Sequence, residues 1–267
     1  MAGRYRLLRV RSDGANSSSP MYDGSFSVRM SAVVLLSGGL DSVTTLFVAK
    51  AEGHEIYCIS FDYGQRHRFE LQCATEQARR AGALEHHTVK IDPVLFQDRS
   101  SHSATALIAG GAAVPENRSE LLTGAAEKQI PVTYVPARNL LFLSYALSFA
   151  ESRSARYLYI GANALDYSGY PDCRPAFLQS FEATANLGTK AGVEGQGFNL
   201  KAPLVDDTKA DIIRKGLKLG VDYSMTSSCY QPSDKGRPCG RCDSCLLRAK
   251  GFAEVGVEDP LLLKDLA

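Results

Sequence analysis

The sequence predicts an α/β fold with a doubly wound parallel sheet, on three observations. Short apolar runs rich in branched residues are typical of strands buried on both faces, and several occur from Ala32 onward. These runs alternate with segments of helical periodicity. Polar and glycine-rich segments follow the predicted strands, at the edge of the sheet where ligands bind in this fold class. The 267 residues are enough for one large domain with a small appendage.

The first predicted strand, Ala32–Leu36, is entirely apolar and is followed by a helix over about 42–52. The alternation then continues past the middle of the chain. The further predicted elements are a strand at Glu55–Phe61, a helix over about 66–82, a strand at His86–Ile91, a helix at Leu140–Arg153 and a strand at Tyr157–Gly161. This order is typical of a parallel sheet whose crossover connections are helices.

Three segments differ from the alternating α/β domain, which we assign to residues 31–222. Residues 1–30 hold five arginines and almost no apolar periodicity, so we expect a disordered extension. A transit peptide is one interpretation; an upstream extension or a start-site artefact is the plainer one and is favoured. Within the domain, 98–128 is rich in Ser, Ala and Gly and is expected to be a mobile excursion. Residues 223–267 form a C-terminal metal-binding region.

Charge and hydropathy argue against two classes of partner. The chain has 30 basic and 29 acidic residues, which gives no sign of general affinity for nucleic acid. No apolar stretch approaches the roughly 20 residues that span a bilayer. We therefore expect no direct nucleic-acid partner and no membrane association.

The segment Ser37–Ser42 reads Ser-Gly-Gly-Leu-Asp-Ser and directly follows the first strand. Its glycines allow the backbone to curl into a nest of inward-pointing N–H groups that binds an anion. The next helix adds its positive N-terminal end at the same place. We expect a phosphate or pyrophosphate here; a serine N-cap on an ordinary helix is the alternative. The predicted nucleotide-binding residues are Leu36, Ser37, Gly38, Gly39, Leu40, Asp41, Ser42, Val43, Thr44, Thr45 and Leu46.

Four of the seven cysteines crowd into 17 residues near the C-terminus; they are Cys229, Cys239, Cys242 and Cys245. The Cys-x2-Cys spacing lets thiolates reach one tetrahedral Zn²⁺ at about 2.3 Å, and four ligands leave no open position for catalysis. A structural Zn²⁺ is therefore predicted, with a redox dithiol or an iron–sulfur cluster as alternatives. An odd number of cysteines without a secretory signal indicates a reducing cytoplasm.

Further polar side chains are predicted to bind substrate. Tyr63, Gln65 and Arg66 follow the second strand, where they could orient a planar heterocycle. In a second loop, carboxylates could accept hydrogen bonds from the N–H groups of a guanine-like ring, and a tyrosine could cover the face of that ring. Its predicted substrate-binding residues are Asp166, Ser168, Tyr170, Asp172 and Arg174. Ordinary turns are the alternative for both segments.

Two cations complete the predicted site. Arg138 lies at the start of a helix, which is unfavourable for a cation unless an anion binds there, although a surface arginine is the alternative. Lys190 and the segment 207–211 add cations or a capped helix, with Asp206 or Asp207 as the expected N-cap.

In order, these motifs resemble the 7-cyano-7-deazaguanine synthase family of ATP pyrophosphatases, from Ser31 to the C-terminus. The motifs are Ser37–Ser42, Phe61–His67, Val135–Asn139, Asp166–Arg174, Asn186–Gly192 and Cys229–Cys245. The resemblance implies an enzyme of queuosine biosynthesis, a ligase that makes a nitrile from 7-carboxy-7-deazaguanine and ammonia. Two ATP would be consumed, through an adenylated carboxylate and an adenylated amide. It also implies an adenine-nucleotide α-hydrolase-like fold.

The resemblance further implies roles for individual residues. The amides of Ser37–Ser42 would hold pyrophosphate, Asp41 would position Mg²⁺, and Arg138 and Lys190 would stabilise developing negative charge. The 166–174 loop and Tyr63 would recognise the deazapurine. One structural Zn²⁺ per subunit is expected, and such folds often pair into homodimers.

Two other functions remain open at this point. An ATP pyrophosphatase that thiolates tRNA would need a catalytic cysteine outside the metal cluster, and Cys173 is the only cysteine in a predicted active-site loop. A non-catalytic zinc-ribbon binding module would have a degenerate nucleotide loop, whereas the Ser37–Ser42 motif is intact.

Overall fold

Five parallel strands form one sheet in the computed structural model, which describes residues 30–66, 68–97, 105–118, 130–164 and 170–263. The strand order is β3-β2-β1-β4-β5, and every pairing is parallel. The strands are β1 Ser31–Leu35, β2 Glu55–Asp62, β3 Glu85–Lys90, β4 Tyr157–Tyr159 and β5 Asn199–Lys201. The predicted doubly wound parallel sheet is confirmed. Sequence patterns missed β5 because it holds a single apolar residue, Leu200.

Helices connect the strands, and each predicted helix is present with ends shifted by a few residues. Those described are α1 Leu40–Ala51, α2 Phe69–Ala81, α3 Arg138–Ser152, α4 Pro175–Gly188, α5 Lys190–Val193, α6 Lys209–Lys218, α7 Asp243–Val255 and α8 Pro260–Leu263. Short 3₁₀ turns lie at Pro93–Phe96, Pro171–Cys173 and Tyr223–Met225. None of these described helices has the length and apolar character needed to cross a membrane.

Strand β1 forms the centre of the core because both of its faces are covered. Val33 and Leu35 pack toward α3 and α4, whereas Ala32 and Val34 pack toward α1, α2 and α6. Alternate residues of a strand point to opposite faces, so an all-apolar run places one helical layer on each side. The result is a helix–sheet–helix sandwich.

The side of β1 on which the chain adds further strands changes after β3. The chain runs outward through β2 and β3, then returns to the other side of β1 for β4 and β5. In the register, Val34 pairs with both Cys58 and Tyr159. The loops after β1 and β4 therefore separate at a topological switch point, where open α/β sheets bind their ligands.

The structure bears on two expectations about loops. Residues 105–118 of the expected mobile excursion are packed: Ala106, Leu107 and Ile108 are buried. These residues contact distant parts of the chain, which local periodicity cannot show. The N-cap of α6 is Thr208, which forms a capping box with Asp211, so neither Asp206 nor Asp207 has that role. The expected extension 1–29 and segments 98–104 and 119–129 lie outside the described residues.

Candidate functional site

A cavity lies at the switch point, beyond the carboxyl ends of β1 and β4. It is lined by the loop after β1, by residues 160–163 after β4 and by the first turns of α2 and α3. Of the predicted nucleotide-binding residues, Leu36, Ser37 and Gly39–Ser42 line it. Val43, Thr44, Thr45 and Leu46 lie deeper in α1 and are buried in the core side of that helix.

The curl of the loop depends on a close approach to α2. Gly38 has a φ of +91°, and a Cβ built on it would lie 2.0 Å from the carbonyl oxygen of Glu70. Only glycine fits such a position. The backbone N–H groups of Ser37 and Gly38 donate to Ser42 Oγ, each at 3.2 Å, and that of Gly39 donates to Ser37 Oγ at 3.2 Å. These three N–H groups thus point into the turn, where serine hydroxyls accept from them.

The N-terminal end of α1 faces the same cavity. Its N-cap, Gly39, has no capping side chain, and the N–H of Leu40 donates to Ser228 Oγ at 3.1 Å. Among the described residues, the N–H groups of Asp41 and Ser42 have no acceptor. Gly161 packs closely against this turn, because a Cβ there would lie 3.0 Å from the Ser42 nitrogen. A helix start with open donors suits an anion.

Asp41 forms an ion pair with Lys209 at the start of α6. Lys209 Nζ lies 2.7 Å and 2.9 Å from the two carboxylate oxygens. The lysine side chain is only 10% exposed and the aspartate 23%, so the pair is held away from most solvent. Sequence reasoning pointed only to the 207–211 segment. The contact between α1 and α6 shows which of its cations reaches the loop.

Arg138 and two tyrosines line the other side of the cavity. Arg138 Nη1 lies 3.4 Å from the Tyr63 hydroxyl, to which it donates. The Tyr170 hydroxyl shares a 2.6 Å hydrogen bond with Thr133. Burial raises the pKa of both phenols, so they stay neutral at physiological pH. The backbone before α3 is strained, since Ala137 has a left-handed φ of +52°.

An aromatic wall lies beside these groups, and sequence reasoning missed its main member, Phe142. The Phe142 ring stacks on Phe61 with centroids 3.9 Å apart and planes 7° apart. The Tyr63 ring meets Phe142 edge to face at 5.5 Å. All three rings line the cavity. Such a wall suits the face of a planar heterocycle.

Gln65 and Arg66 have their polar atoms turned toward the protein's own backbone. Gln65 accepts from the Tyr63 N–H at 2.9 Å and donates to the Phe61 carbonyl at 3.0 Å. Arg66 donates to the carbonyls of residues 108, 111 and 112 at 3.2, 2.7 and 3.0 Å. Neither residue lines the cavity. Both were predicted to bind substrate; the structure makes them supports of the β2 loop and of segment 105–118.

Asp172 also has a structural partner. Its Oδ2 accepts from the backbone N–H of Asn139 at 2.9 Å, in the first turn of α3. A carboxylate there satisfies an open donor of the helix. Asp172 does not line the cavity, and Arg174 is exposed before α4. Of the predicted 170–174 contacts, Tyr170 alone lines the cavity. Asp166 and Ser168 lie outside the described residues.

Cys173 lies in the cavity wall but is a poor nucleophile. Burial raises the pKa of its thiol to about 11, and the hydrogen bond that Asn139 Nδ2 donates to its sulfur at 3.3 Å acts in the opposite direction without outweighing burial. A sulfur-transfer cysteine needs a readily formed thiolate. The geometry therefore disfavours the tRNA-thiolating alternative.

Lys190 is placed away from these groups. Its side chain is 80% exposed and lies 3.7 Å from Glu194, one turn along the chain. It is not among the residues that line the cavity. The cation beside the loop is Lys209 instead.

The four cysteines of the C-terminal region come together as predicted. Their Sγ atoms all lie within 4.8 Å of one another. Backbone N–H groups point at the sulfurs: those of Cys239 and Gln231 donate to Cys229 Sγ at 3.2 and 3.3 Å. Sulfurs gathered in this way and accepting N–H bonds suit thiolates that ligate a tetrahedral metal. The cluster can hold one metal ion with four protein ligands.

The chain matches, over residues 31–256, the family described as "Queuosine biosynthesis protein QueC". It belongs to the QueC family. A relative from Pseudomonas syringae pv. tomato named 7-cyano-7-deazaguanine synthase is 56% identical over 229 residues, which is 86% of this chain and 95% of that protein. One of the same name from Azotobacter vinelandii is also 56% identical, covering 86% and 96%. The resemblance inferred from the motifs is confirmed.

Among solved structures, NMN synthetase from Francisella tularensis aligns with a TM-score of 0.44 and 16% sequence identity. The alignment covers 86% of this chain and 79% of that one.

Proposed function

We propose that this chain is a 7-cyano-7-deazaguanine synthase that converts 7-carboxy-7-deazaguanine and ammonia into the nitrile at the expense of two ATP. The observation that carries the proposal is the Ser37–Ser42 loop at the switch-point cavity, with two N–H donors open to an anion. Membership of the QueC family and the name of its relatives, 7-cyano-7-deazaguanine synthase, indicate the substrate.

The chemistry requires a good leaving group on carbon. A carboxylate is a poor electrophile, because oxide would have to leave. Attack of the carboxylate oxygen on the α-phosphorus of ATP forms an acyl adenylate and releases pyrophosphate. Ammonia then displaces AMP and gives the amide after loss of a proton. A second adenylation, at the amide oxygen, lets AMP leave again and yields the nitrile, so each carboxylate oxygen departs on an AMP.

The loop binds the pyrophosphate that leaves in both adenylations. The N–H groups of Asp41 and Ser42 donate to its oxygens, and the cations of Lys209 and Arg138 offset its charge. Fixed donors and cations in a cavity stabilise the developing negative charge without reorganisation. Positioning and electrostatics suffice, and no covalent nucleophile is required.

Asp41 is the residue that would hold Mg²⁺. One carboxylate together with substrate phosphates is a usual way to bind this ion in ATP-using sites, and Asp41 faces the loop. Bound there, Mg²⁺ neutralises phosphate charge.

The aromatic wall binds the deazapurine. Phe61, Phe142 and Tyr63 supply flat apolar surface, and the Tyr63 and Tyr170 hydroxyls stay protonated. For Asp166 and Ser168, which lie outside the described residues, we propose contacts with the hydrogen-bonding edge of the guanine-like ring.

The metal in the cysteine cluster is proposed to be a structural Zn²⁺. With all four positions taken by thiolates, it stabilises the C-terminal region. We expect Cys242→Ser to lower metal content and melting temperature together, measured by elemental analysis and by thermal unfolding. A variant that keeps its stability but loses turnover would contradict the structural role.

The remaining partners follow from the reaction. Ammonia is the nitrogen donor, no nucleic acid or membrane takes part, and the enzyme works in the cytoplasm. We also propose a homodimer, supported by apolar side chains exposed on α3, where Leu140 is 46% and Tyr145 43% exposed. Analytical ultracentrifugation tests this.

The deciding experiment is mass analysis of a reaction with ATP, ammonium and 7-carboxy-7-deazaguanine. The proposal predicts the nitrile, AMP and pyrophosphate, with two AMP for each nitrile. Formation of ADP, or of the amide alone with one AMP, would contradict it.

A further inference from the structure

The described part of the C-terminal region that holds the four cysteines, residues 223–263 and here termed the cysteine region, forms part of the wall of the nucleotide cavity. Ser228 and Tyr230 flank Cys229, Ser244 precedes Cys245, and all three line the cavity. A metal site expected to serve only the stability of the C-terminus therefore borders the proposed reaction. Sequence reasoning placed the two motifs in separate regions.

Two direct hydrogen bonds join the cysteine region to the loop. The Ser227 N–H donates to the Gly38 carbonyl at 3.0 Å, and Ser228 Oγ accepts from the Leu40 N–H at 3.1 Å. A Cβ on Gly39 would contact Ser228 Oγ at 3.5 Å, so the hydroxyl lies against the turn. These two bonds fix the position of the loop relative to the cysteine region.

The segment before Ser228 is fixed from the opposite side. Buried Arg248 on α7 donates to the Tyr223 carbonyl at 3.0 Å and to Thr226 Oγ1 at 2.8 Å. Arg248 is itself held by the buried carboxylate of Asp259, at 2.6 and 2.8 Å. On its other side Ser228 is followed at once by Cys229 of the metal cluster. The hydroxyl therefore has a defined position and little freedom to turn away.

A serine hydroxyl accepts and also donates one hydrogen bond. Ser228 Oγ accepts from Leu40, and among the described residues its own proton has no acceptor. It lies beside the open N–H groups of Asp41 and Ser42, where an anion would bind. We propose that Ser228 is a phosphate-binding residue of the nucleotide loop, held in place by the four-cysteine cluster, and that its hydroxyl donates to an oxygen of the bound pyrophosphate group.

This inference rests on the proposed function, since it assumes that the cavity binds the polyphosphate of ATP. It adds a donor that comes from outside the Ser37–Ser42 motif. It also predicts that loss of the cysteine-bound metal weakens nucleotide binding as well as stability, because Cys229 anchors the serine.

The test is the affinity for inorganic pyrophosphate, measured by calorimetry on the full chain with Mg²⁺. We expect Ser228→Ala to weaken binding about tenfold, the usual cost of one hydrogen bond to a charged group. Ser228→Thr keeps a hydroxyl and should stay within about threefold of the wild type. In turnover assays, Ser228→Ala should raise KM for ATP and leave KM for the deazapurine acid unchanged.

Ser233→Ala is the matched control. Ser233 lies in the same region and also accepts a backbone N–H bond, from Arg237 at 3.1 Å, but it is exposed and does not line the cavity. It should bind pyrophosphate like the wild type. Metal content and melting temperature are measured for every variant; Ser228→Ala should keep the metal content of the wild type and melt only slightly lower, because the Leu40 N–H loses its acceptor.

Two results would overturn the inference. One is a fully metallated Ser228→Ala that binds pyrophosphate within twofold of the wild type. The other is loss of affinity in both Ser228 variants in step with loss of metal, which would make the residue part of the scaffold only. If the wild type itself binds neither pyrophosphate nor ATP, the proposed function fails and this inference fails with it.

Discussion

The loop after β1 and the loop after β2 were both predicted to bind ligand, and the structure uses them differently. In the first, Ser37–Ser42, the start of α1 faces the cavity, and the N–H groups of Asp41 and Ser42 have no acceptor among the described residues. In the second, Gln65 and Arg66 form their hydrogen bonds with backbone groups, and of the described residues after β2 only Tyr63 lines the cavity. Recognition by backbone follows from local conformation. Recognition by side chains depends on which distant carbonyls compete for the same donors.

The largest expected effect concerns Asp41 in the first loop. Asp41→Ala should reduce ATP turnover by at least about 100-fold, because the proposed Mg²⁺ ligand is lost. It should also lower the free energy of unfolding by about 2 kcal/mol, because Lys209 loses a partly buried carboxylate. Pyrophosphate release and denaturant unfolding measure the two effects.

The Asp41→Ala/Lys209→Met double variant separates them. Removing both charges should return stability to within about 1 kcal/mol of the wild type while turnover stays lost. Full turnover in the single variant would rule out the Mg²⁺ role of Asp41. No recovery of stability in the double variant would show that the ion pair is not the cause of the instability.

Next in size is the backbone of the same loop. Gly38→Ala should cost about 3 kcal/mol or more, because its Cβ would overlap the Glu70 carbonyl in addition to the strain of a positive φ. Gly53→Ala is the control: its φ is +85° but a Cβ there meets nothing within 4 Å, so about 1 kcal/mol is expected. Equal losses in the two variants, measured by denaturant unfolding, would refute the close approach to α2.

A smaller effect separates capping from recognition at Asp172. Because the amide oxygen of Asn can accept the same bond from the Asn139 N–H, Asp172→Asn should change stability by less than about 0.5 kcal/mol, whereas Asp172→Ala leaves that donor open and should lose about 1 kcal/mol. KM for the deazapurine acid should not change in Asp172→Asn. A tenfold rise in that KM at unchanged stability would instead make Asp172 a substrate ligand.

The smallest effect is local and concerns the second loop. Arg66→Met removes three hydrogen bonds to segment 105–118, so amide exchange there should become about tenfold faster, measured by mass spectrometry. Arg68→Met is the control, since the Arg68 side chain is 71% exposed and its ion pair with Asp62 is long, at 3.7 Å. Unchanged exchange in Arg66→Met would show that Arg66 does not stabilise this segment, and its predicted role as a substrate ligand would stand again.

Sequence alone determined the features that depend on residues close together along the chain. The parallel sheet followed from apolar runs such as β1, and the metal cluster from Cys-x2-Cys spacing, because strand burial and thiolate reach depend on neighbouring residues. The curled turn at Ser37–Ser42 followed from two glycines between a strand and a helix. β5 escaped detection because three residues with one apolar side chain carry no periodicity.

Tertiary structure decided which polar side chains face the cavity. Lys209 reaches Asp41 across 168 residues and Ser228 reaches Leu40 across 188, separations that no local pattern encodes. The same long-range packing turned Asp172 to a helix start and Arg66 to segment 105–118. A polar group binds whatever partner the folded chain brings nearest, and only the assembled layers determine whether that partner is backbone or ligand.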